Sequence, residues 1–331
     1  MRYLISRLLQ GVLILLGVSL VTFMIPYIFS SPSESALAVL GQRATQAAIK
    51  AFMHKYGLDR PLLVQYWDWL RHALQGNMGI SFIDTERVHQ TITVNQVVGA
   101  NVWRSIWLTF IPTVFSALIA IPIGLSQAVR RNKTYDHVVT TLVYVVYSTP
   151  AVIICLLLVY YVAISLHIGT VNISPLAQEV TASQFPMWAL QHANQFLLPF
   201  TAIIVLSIGG LTRFMRGSAL DTLIQDHVRT ARAKGASPTR VLFRHVLRPS
   251  VIPLVTIFGL SIPGIIGGAL IIENIFNYPG MGVLAVKSVT IGDYPIVMAL
   301  TFYGAILTIV GNYIADVLVA VVDPRARRGV A

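Results

Sequence analysis

The chain has 331 residues, of which 55% are hydrophobic and only 11% are charged, and its mean hydropathy is +0.71. Soluble domains carry about 25% charged residues, so this composition excludes a water-soluble globular protein. The net charge of +11 does not indicate nucleic-acid binding, because the basic residues lie between apolar runs, as membrane topology requires. The single cysteine, Cys155, cannot form an internal disulfide.

Six stretches without Asp, Glu, Lys or Arg are long enough to span a bilayer, which requires about 20 apolar residues. We expect spanning helices near residues 9–29, 105–128, 139–165, 196–215, 251–272 and 296–321. The polar, proline-containing segment 166–195 is expected to be a loop, and the first apolar run is too long for a cleaved signal peptide. Five prolines are expected to kink spans rather than end them: Pro26, Pro112, Pro122, Pro150 and Pro263. The predicted fold class is therefore an all-α integral membrane protein with six transmembrane helices.

Lysine and arginine residues predict the orientation of the spans. Sixteen of the 24 lysine and arginine residues lie in four places. These places are the N-terminal end, the C-terminal end, the loop directly after the second span, and the segment 213–248. Because cytoplasmic loops carry the excess of positive charge, we expect these parts, with both termini, in the cytoplasm. The chain then divides into a tail and first span (1–30), an extracytoplasmic segment (31–104), five further spans (105–322) and a cytoplasmic tail (323–331).

Within the segment 31–104, residues 62–75 are predicted to form an amphipathic helix that ends at Gly76. Apolar side chains recur there at helical spacing, namely Leu63, Tyr66, Trp67, Leu70 and Leu74. The segment is either a small helical cap that packs on the helix ends or a docking surface for an external partner. The periodicity alone favours the cap.

Residues 216–250, here called the elbow, are predicted to form two short helices around a tight turn. Ser218 with Asp221 three residues later indicates a capping box. Gly235 is typical of the residue just past a helix, and Ser237–Pro238 is typical of an N-cap followed by a first-turn proline. A basic loop that only sets topology does not require these caps. We therefore expect a compact element that fits the cleft of a partner, with small residues that permit close approach.

The segment from Arg229 to Ala236 resembles the EAA loop of ABC importer permeases, in which Glu-Ala-Ala is followed three residues later by Gly. The chain keeps Ala231 and Gly235 but has Arg229 and Thr230 in the first two places. In this departure it is similar to the dipeptide/oligopeptide branch of that family.

Further stretches resemble the same branch in the expected order. They are Lys55–Pro61, Gln65–Trp67, Gly76–Phe82, Phe276–Gly282, Asp293–Pro295 and Asp323–Arg325. The resemblance covers nearly the whole chain, and it implies the type I permease fold of ABC importers.

The resemblance also implies a complex with a second homologous permease subunit, two ATPase subunits and an extracytoplasmic solute-binding protein. The chain would form half of a peptide pathway in a prokaryotic cell membrane and would alternate access between its two sides. ATP and Mg²⁺ would bind the ATPase subunits, whereas this chain would have no cofactor, metal or catalytic residue. It has no G-x-x-x-x-G-K-[ST] phosphate loop. The residues expected to couple to an ATPase subunit are Asp226, Arg229, Ala231, Arg232, Gly235, Ala236, Ser237 and Pro238.

Two acidic residues lie close to the spans, where a carboxylate is costly and suggests a function. Glu273 either meets the ammonium group of a peptide at an outer gate or makes a structural bond to loop backbone. Asp316 is expected to pair with a loop arginine. A short helix is expected after Tyr278-Pro279-Gly280, and with Met281 these residues either line the outer gate or pack.

Three other functions are compatible with a multispan protein. The same architecture imports nickel, oligosaccharides or other solutes, and this chain does not identify the cargo. A membrane-embedded enzyme is disfavoured because the chain has no H-E-x-x-H motif and its eight histidines are scattered. A channel would not need an elbow that docks on an ATPase.

Overall fold

A computed structural model describes residues 2–29, 31–82, 91–174, 180–181 and 183–322 of the chain. The helices in these residues are, in chain order, α1 (Arg2–Phe29), α2 (Pro32–Leu40), α3 (Gln46–Lys55), α4 (Leu62–Leu74), α5 (Val94–Val129), α6 (Thr134–Ser148), α7 (Ala151–Leu157), α8 (Phe185–Gln191), α9 (Ala193–Leu223), α10 (Asp226–Ala233), α11 (Pro238–Arg240), α12 (Leu247–Gly267), α13 (Leu270–Ile275), α14 (Met281–Ile291) and α15 (Tyr294–Val322). Two π-helical stretches continue α7 and join α11 to α12, namely Leu158–Ser165 and Val241–Val246.

The membrane-spanning character predicted from the sequence is confirmed. Five helical segments in the described residues are long and apolar enough to cross a bilayer, and they lie in α1, α5, α9, the continuous segment Pro238–Ile265 and α15. The pair formed by α6 and the helix Ala151–Ser165 meets the same criterion, with a bend of 103° between its halves. When this bent pair is counted as one span, all six predicted spans are present.

The third span differs from the single helix predicted over residues 139–165. The helix breaks between Ser148 and Ala151, where Thr149 (ψ 127°) and Pro150 (ψ 139°) are both extended. Proline has no backbone N–H, and its ring disfavours a helical conformation of the residue before it. Pro150 therefore ends one helix and precedes the next, instead of kinking a continuous one.

Other predicted boundaries were also wrong by several residues. α5 begins at Val94 rather than near residue 105, and α9 runs to Leu223 rather than residue 215. The segment 166–195, predicted as a loop, contains α8 and the start of α9. The fifth span ends at Gly267 because Gly268 has a φ of +85°, a left-handed conformation that only glycine adopts readily. The predicted tail 323–331 and the resemblance at Asp323–Arg325 lie outside the described residues.

The chain divides into two compact units, which are described separately. The first contains Met1–Arg104 and Pro279–Ile309, and the second contains Ser105–Tyr278 and Val310–Ala331. In the first unit, a core cluster joins α4, α5 and α15, with Val94, Ala299 and Phe302 almost fully buried. The buried carboxylate of Asp293, just before α15, accepts a hydrogen bond of 2.5 Å from Ser81 Oγ. This bond fixes the chain after α4 to the start of the last helix.

The predicted amphipathic helix is present as α4, but its buried face differs from the predicted one. Leu70 is buried together with Ala73, whereas Leu63, Trp67 and Leu74 are 75%, 64% and 66% exposed. The interior face is set by aromatic packing, because the Trp69 ring lies edge-on to Phe302 with a centroid distance of 5.5 Å.

In the second unit, α5 and α9 approach each other closely at Gly124. A Cβ atom at this position would lie 2.7 Å from the carbonyl oxygen of Thr212 and 2.8 Å from Cβ of Met215. Both distances are shorter than van der Waals contact, so only glycine permits this packing. α5 and α9 are therefore held together about one and a half turns before α5 ends and two to three turns before α9 ends.

Candidate functional site

The elbow starts later than the sequence predicted. The capping box predicted at Ser218 and Asp221 is absent, because α9 continues through both residues to Leu223. The hydroxyl of Thr222 donates to the carbonyl oxygen of Ser218, as in a continuous helix. The chain turns only at Ile224–Gln225, where Gln225 is extended and precedes α10.

The second half of the predicted elbow has the expected local structure. α10 ends at Ala233, and Gly235 adopts a φ of +77°, the left-handed conformation expected just past a helix. The hydroxyl of Ser237 accepts the backbone N–H of Arg240 at 3.4 Å, and Pro238 occupies the first turn of α11. The imidazole Nε2 of His227 lies 3.1 Å from the carbonyl oxygen of His245. Residues 226–238, here called the elbow tip, therefore form a helix, a tight turn and a capped helix start.

The elbow tip has one buried face and one exposed face. Val228 is fully buried and Ala231 is 8% exposed, and both pack in a cluster with Leu125, Met215 and Ala219. Most of the other predicted coupling residues are exposed, namely Asp226, Arg229, Arg232, Gly235, Ser237 and Pro238, and Ala236 is half-buried. The structure therefore brings the predicted set together, but it places Ala231 toward the chain's own core rather than toward a partner.

A buried ion pair lies two turns before the end of α9. Arg216 donates to both carboxylate oxygens of Asp136, from Nε at 2.8 Å and from a terminal nitrogen at 2.7 Å. Asp136 also accepts the backbone N–H of Asn132 at 3.0 Å. Only 1% of Asp136 is exposed. The sequence analysis did not single out this pair, although an acidic residue at the start of an apolar span was an available signal.

Glu273 is fully buried at the junction of α12 and α13. Its Oε1 accepts the Ser105 hydroxyl at 2.7 Å and the backbone N–H of Ala269 at 3.2 Å. A Cβ atom at Gly268 would lie 2.4 Å from this oxygen, so the glycine makes room for the carboxylate. This geometry agrees with the structural alternative for Glu273, a bond that fixes the broken end of the fifth span.

The other residues predicted near an outer gate are also buried. Tyr278 is fully buried in a core cluster, and its N–H donates to the carbonyl oxygen of Glu273 at 2.8 Å. Pro279, Gly280 and Met281 are buried, and the predicted short helix is α14. The side chain of Asp316 lies outside the described residues.

A cavity of about 510 Å³ lies between α5, α9 and α12 in the second unit. Its lining carries no ionisable side chain. Hydroxyl groups and small residues interrupt the apolar lining, namely Thr109, Thr113, Ser207, Gly210, Ser261 and Gly264. Thr109, Thr113 and Ser261 donate their hydroxyl hydrogens to carbonyl groups of the chain, so toward a polar backbone they offer acceptors for N–H groups. The lining has no charge that would favour side chains of one sign over the other.

Family comparison agrees with the membrane-spanning fold of the chain. Residues 120–328 match the family described as binding-protein-dependent transport system inner membrane component, and residues 1–114 match its N-terminal region. The chain belongs to this family. It is therefore a multi-pass membrane component of a binding-protein-dependent transport system, that is, a transporter permease.

Relatives of this permease are similar over almost their whole length. The oligopeptide transport system permease protein AppB of Bacillus subtilis is 36% identical over 323 residues, which is 98% of each chain. The glutathione transport system permease protein GsiC of Salmonella typhi is 31% identical over 327 residues, which is 99% of each chain. A chain of the inward-facing MetNI methionine ABC transporter covers 69% of this permease with a TM-score of 0.54. At 18% identity, this likeness shows a shared ABC importer permease fold.

Proposed function

We propose that this permease is one of two membrane subunits of an ATP-driven peptide importer and forms half of its pathway. The observation that carries the proposal is the two-sided structure of the elbow tip. Its polar face is exposed, and its apolar face packs in a buried cluster of the same chain. A capped, folded projection of this kind suits a cleft on a partner, because little ordering entropy is lost on docking.

The partner at the elbow is an ATPase subunit, and the elbow lies in the cytoplasm with both termini. The distribution of arginine and lysine supports this orientation. The complete complex contains a second homologous permease, two ATPase subunits that bind ATP and Mg²⁺, and an extracytoplasmic solute-binding protein. This permease binds no cofactor, and it lies in the plasma membrane of a prokaryote.

Peptides are the proposed cargo. The relatives above are named for oligopeptide and glutathione transport, and others from Brucella are named as peptide permeases. The cavity between α5, α9 and α12 supports this cargo, because its hydroxyl groups can bond peptide backbone while the absence of charge in its lining tolerates varied side chains. No comparable observation favours nickel or an oligosaccharide.

The mechanism is alternating access driven from the elbow. Closure of the ATPase pair displaces α10, and the buried contacts of Val228 and Ala231 transmit this movement to the π-helical stretch Val241–Val246, which leads into α12, and to α9 and α5. The ion pair of Arg216 with Asp136 extends the rigid connection to α6. Movement of these helices opens and closes the pathway at opposite sides of the membrane, as in other multispan transporters.

The chain offers a matched pair of positions for a test. Lys234 and Gln75 are both exposed helix C-caps followed by a left-handed glycine, Gly235 (φ +77°) and Gly76 (φ +78°). Lys234→Trp adds bulk to the elbow tip without changing the glycine, and Gln75→Trp adds the same bulk after α4. Lys234→Gln controls for the lost charge.

In reconstituted transporter, we expect Lys234→Trp to reduce ATP-driven peptide uptake at least tenfold. The fall would result from loss of bound ATPase subunits or from uncoupled hydrolysis, and co-purification distinguishes the two. Gln75→Trp and Lys234→Gln should leave ATPase association unchanged. An assembled Lys234→Trp complex with normal uptake would show that the elbow tip does not couple to the ATPase.

A further inference from the structure

Three arginines line an open depression on the elbow, here called the charged cavity, which starts at the end of the elbow tip. The cavity measures about 600 Å³ and is lined by Ser237, Thr239, Arg240, Phe243, Arg244 and Arg248. In the part of the chain that the structure describes, the guanidinium groups of Arg240, Arg244 and Arg248 make no hydrogen bond or ion pair. These three residues, here called the arginine stripe, therefore present their charges to whatever occupies the cavity.

The arginine stripe lies where a spanning helix begins. Arg240 ends α11, Arg244 lies in the π-helical turn, and Arg248 is the second residue of α12, within the apolar segment Pro238–Ile265. The sequence contains no Asp, Glu, Lys or Arg from Pro249 through Ile272. The stripe thus occupies the last charged turns before a continuous apolar helix, which is the level of lipid headgroups.

The charges of the stripe have no counter-charge in the neighbouring sequence. Its three guanidinium groups are spread over about 12 Å of helix, and no acidic residue lies between Asp226 and Glu273. Three cations on one short surface repel each other, and a bound anion removes this repulsion. The planar guanidinium group is suited to phosphate, because it can donate two parallel hydrogen bonds.

An apolar groove adjoins the charged cavity. This groove, of about 630 Å³, lies between the ends of α5 and α9 and the π-helical turn, and it shares Thr239 and Phe243 with the charged cavity. Its lining is mostly apolar and includes Val129, Leu220 and Leu242, and its two charged members are Arg131 and Arg232. Phe243 is 59% exposed between the two. A charged cavity beside an apolar groove matches an amphiphile, whereas an acidic protein surface would require only the charges.

We propose that the arginine stripe and the adjoining groove bind an anionic phospholipid. The phosphate contacts Arg244 and Arg248 near the membrane surface, Arg240 holds the outer edge of the headgroup, and an acyl chain follows the apolar groove past Phe243. The bound lipid stabilises the joint between the elbow and the fifth span. This proposal does not depend on the nature of the cargo. The groove is also lined by Arg232, Ala236 and Pro238 of the elbow tip, so the lipid lies beside the surface proposed to dock an ATPase subunit.

The test is lipid retention by the complete transporter. Delipidated complex in neutral detergent is titrated with phosphatidylglycerol or with phosphatidylcholine of the same acyl chains, and bound lipids are counted by native mass spectrometry. Each basic residue near an anionic headgroup contributes roughly fivefold in affinity. We therefore expect R240Q/R244Q/R248Q to weaken phosphatidylglycerol binding by roughly two orders of magnitude and to leave phosphatidylcholine binding unchanged.

A matched control removes the same number of positive charges elsewhere on the same side. The variant R130Q/K133Q/K234Q should bind phosphatidylglycerol like the wild type, and the triple lysine variant of the stripe should retain part of the binding. If the triple glutamine variant does not assemble, Arg244→Gln alone should give a fivefold loss. An excess of inorganic phosphate should not displace the lipid.

Equal retention of phosphatidylglycerol by the wild type and the stripe variants overturns the proposal. So does displacement by inorganic phosphate alone, because the apolar groove would then contribute nothing. Loss of ATPase subunits from the stripe variant with unchanged lipid retention also overturns it, and would show that the stripe contacts a protein partner.

Discussion

Replacement of Arg216 by alanine should destabilise the permease more than any single change on the exposed face of the elbow. The substitution leaves the carboxylate of Asp136 buried, at 1% exposure, with donors from Asn132 and Thr140 but without a counter-charge. Removal of one partner of a buried ion pair costs about 3–5 kcal/mol. Since 1 kcal/mol corresponds to about 2–4 °C in domains of 150–250 residues, the midpoint of thermal unfolding should fall by several degrees.

The reverse substitution should cost less. Asp136→Ala leaves the guanidinium group of Arg216, whose side chain is 28% exposed and can turn toward water. The loss is then closer to that of hydrogen bonds to a charged group, about 1.5–3 kcal/mol. Arg216→Lys keeps the charge but not the bidentate geometry, so it should lie between Arg216→Ala and the wild type.

The assay is thermal unfolding of the purified permease complex, followed by tryptophan fluorescence or by loss of the monodisperse peak after heating. A double-mutant cycle with both alanine substitutions should give a coupling free energy above about 1 kcal/mol, since the two side chains are in direct contact. An unfolding midpoint for Arg216→Ala equal to that of the wild type, or a larger loss for Asp136→Ala, would refute the reasoning.

Three further outcomes follow from packing and hydrogen bonding. Gly124→Ala should destabilise the complex by about 1–3 kcal/mol in the same unfolding assay, because the new Cβ would lie 2.7 Å from a carbonyl oxygen. The control Gly217→Ala adds a Cβ in open space, so it should be neutral or stabilising. Asp293→Ala should cost about 1–3 kcal/mol through loss of the buried hydrogen bond that its carboxylate accepts from Ser81, with faster proteolysis of the segment after α4 as the readout. Ala231→Leu should overpack the core under the elbow and lower the unfolding midpoint, while Thr230→Leu on the exposed face should not.

The local structure that the sequence predicted correctly has its causes within a few residues. Gly235 and Ser237–Pro238 take the conformations expected of them because a left-handed glycine and a capped first turn are local preferences. The spans were also predictable, because the thickness of the bilayer sets the number of consecutive apolar residues that each span requires. Their exact ends were not predictable, because α5 and α9 continue as helices beyond the apolar stretches that identified them.

The prolines show the limit of local inference. In the described residues, prolines lie inside helices at positions that include Pro26, Pro112, Pro122, Pro199, Pro253 and Pro263, whereas Pro150 breaks its span. A proline within a membrane helix frees a carbonyl group, and neighbouring groups decide whether the helix continues. Non-local packing also decides the pairing of Asp136 with Arg216. These residues are 80 positions apart and become partners only when α6 packs on α9. Neither outcome depends on sequence spacing.

The burial of Ala231 changes the interpretation of the motif to which it belongs. From the sequence, a small residue in the elbow suggested close approach of a partner. In the structure its side chain is 8% exposed and packs with Met215 and Ala219, while Gly235, at the turn, is exposed. The alanine is therefore required by the permease itself, because a larger side chain would push α10 away from the buried cluster that also contains Met215, Ala219, Val241 and Val246. A partner that displaces the exposed face of α10 therefore also displaces the π-helical stretch Val241–Val246 packed against it, which leads directly into α12.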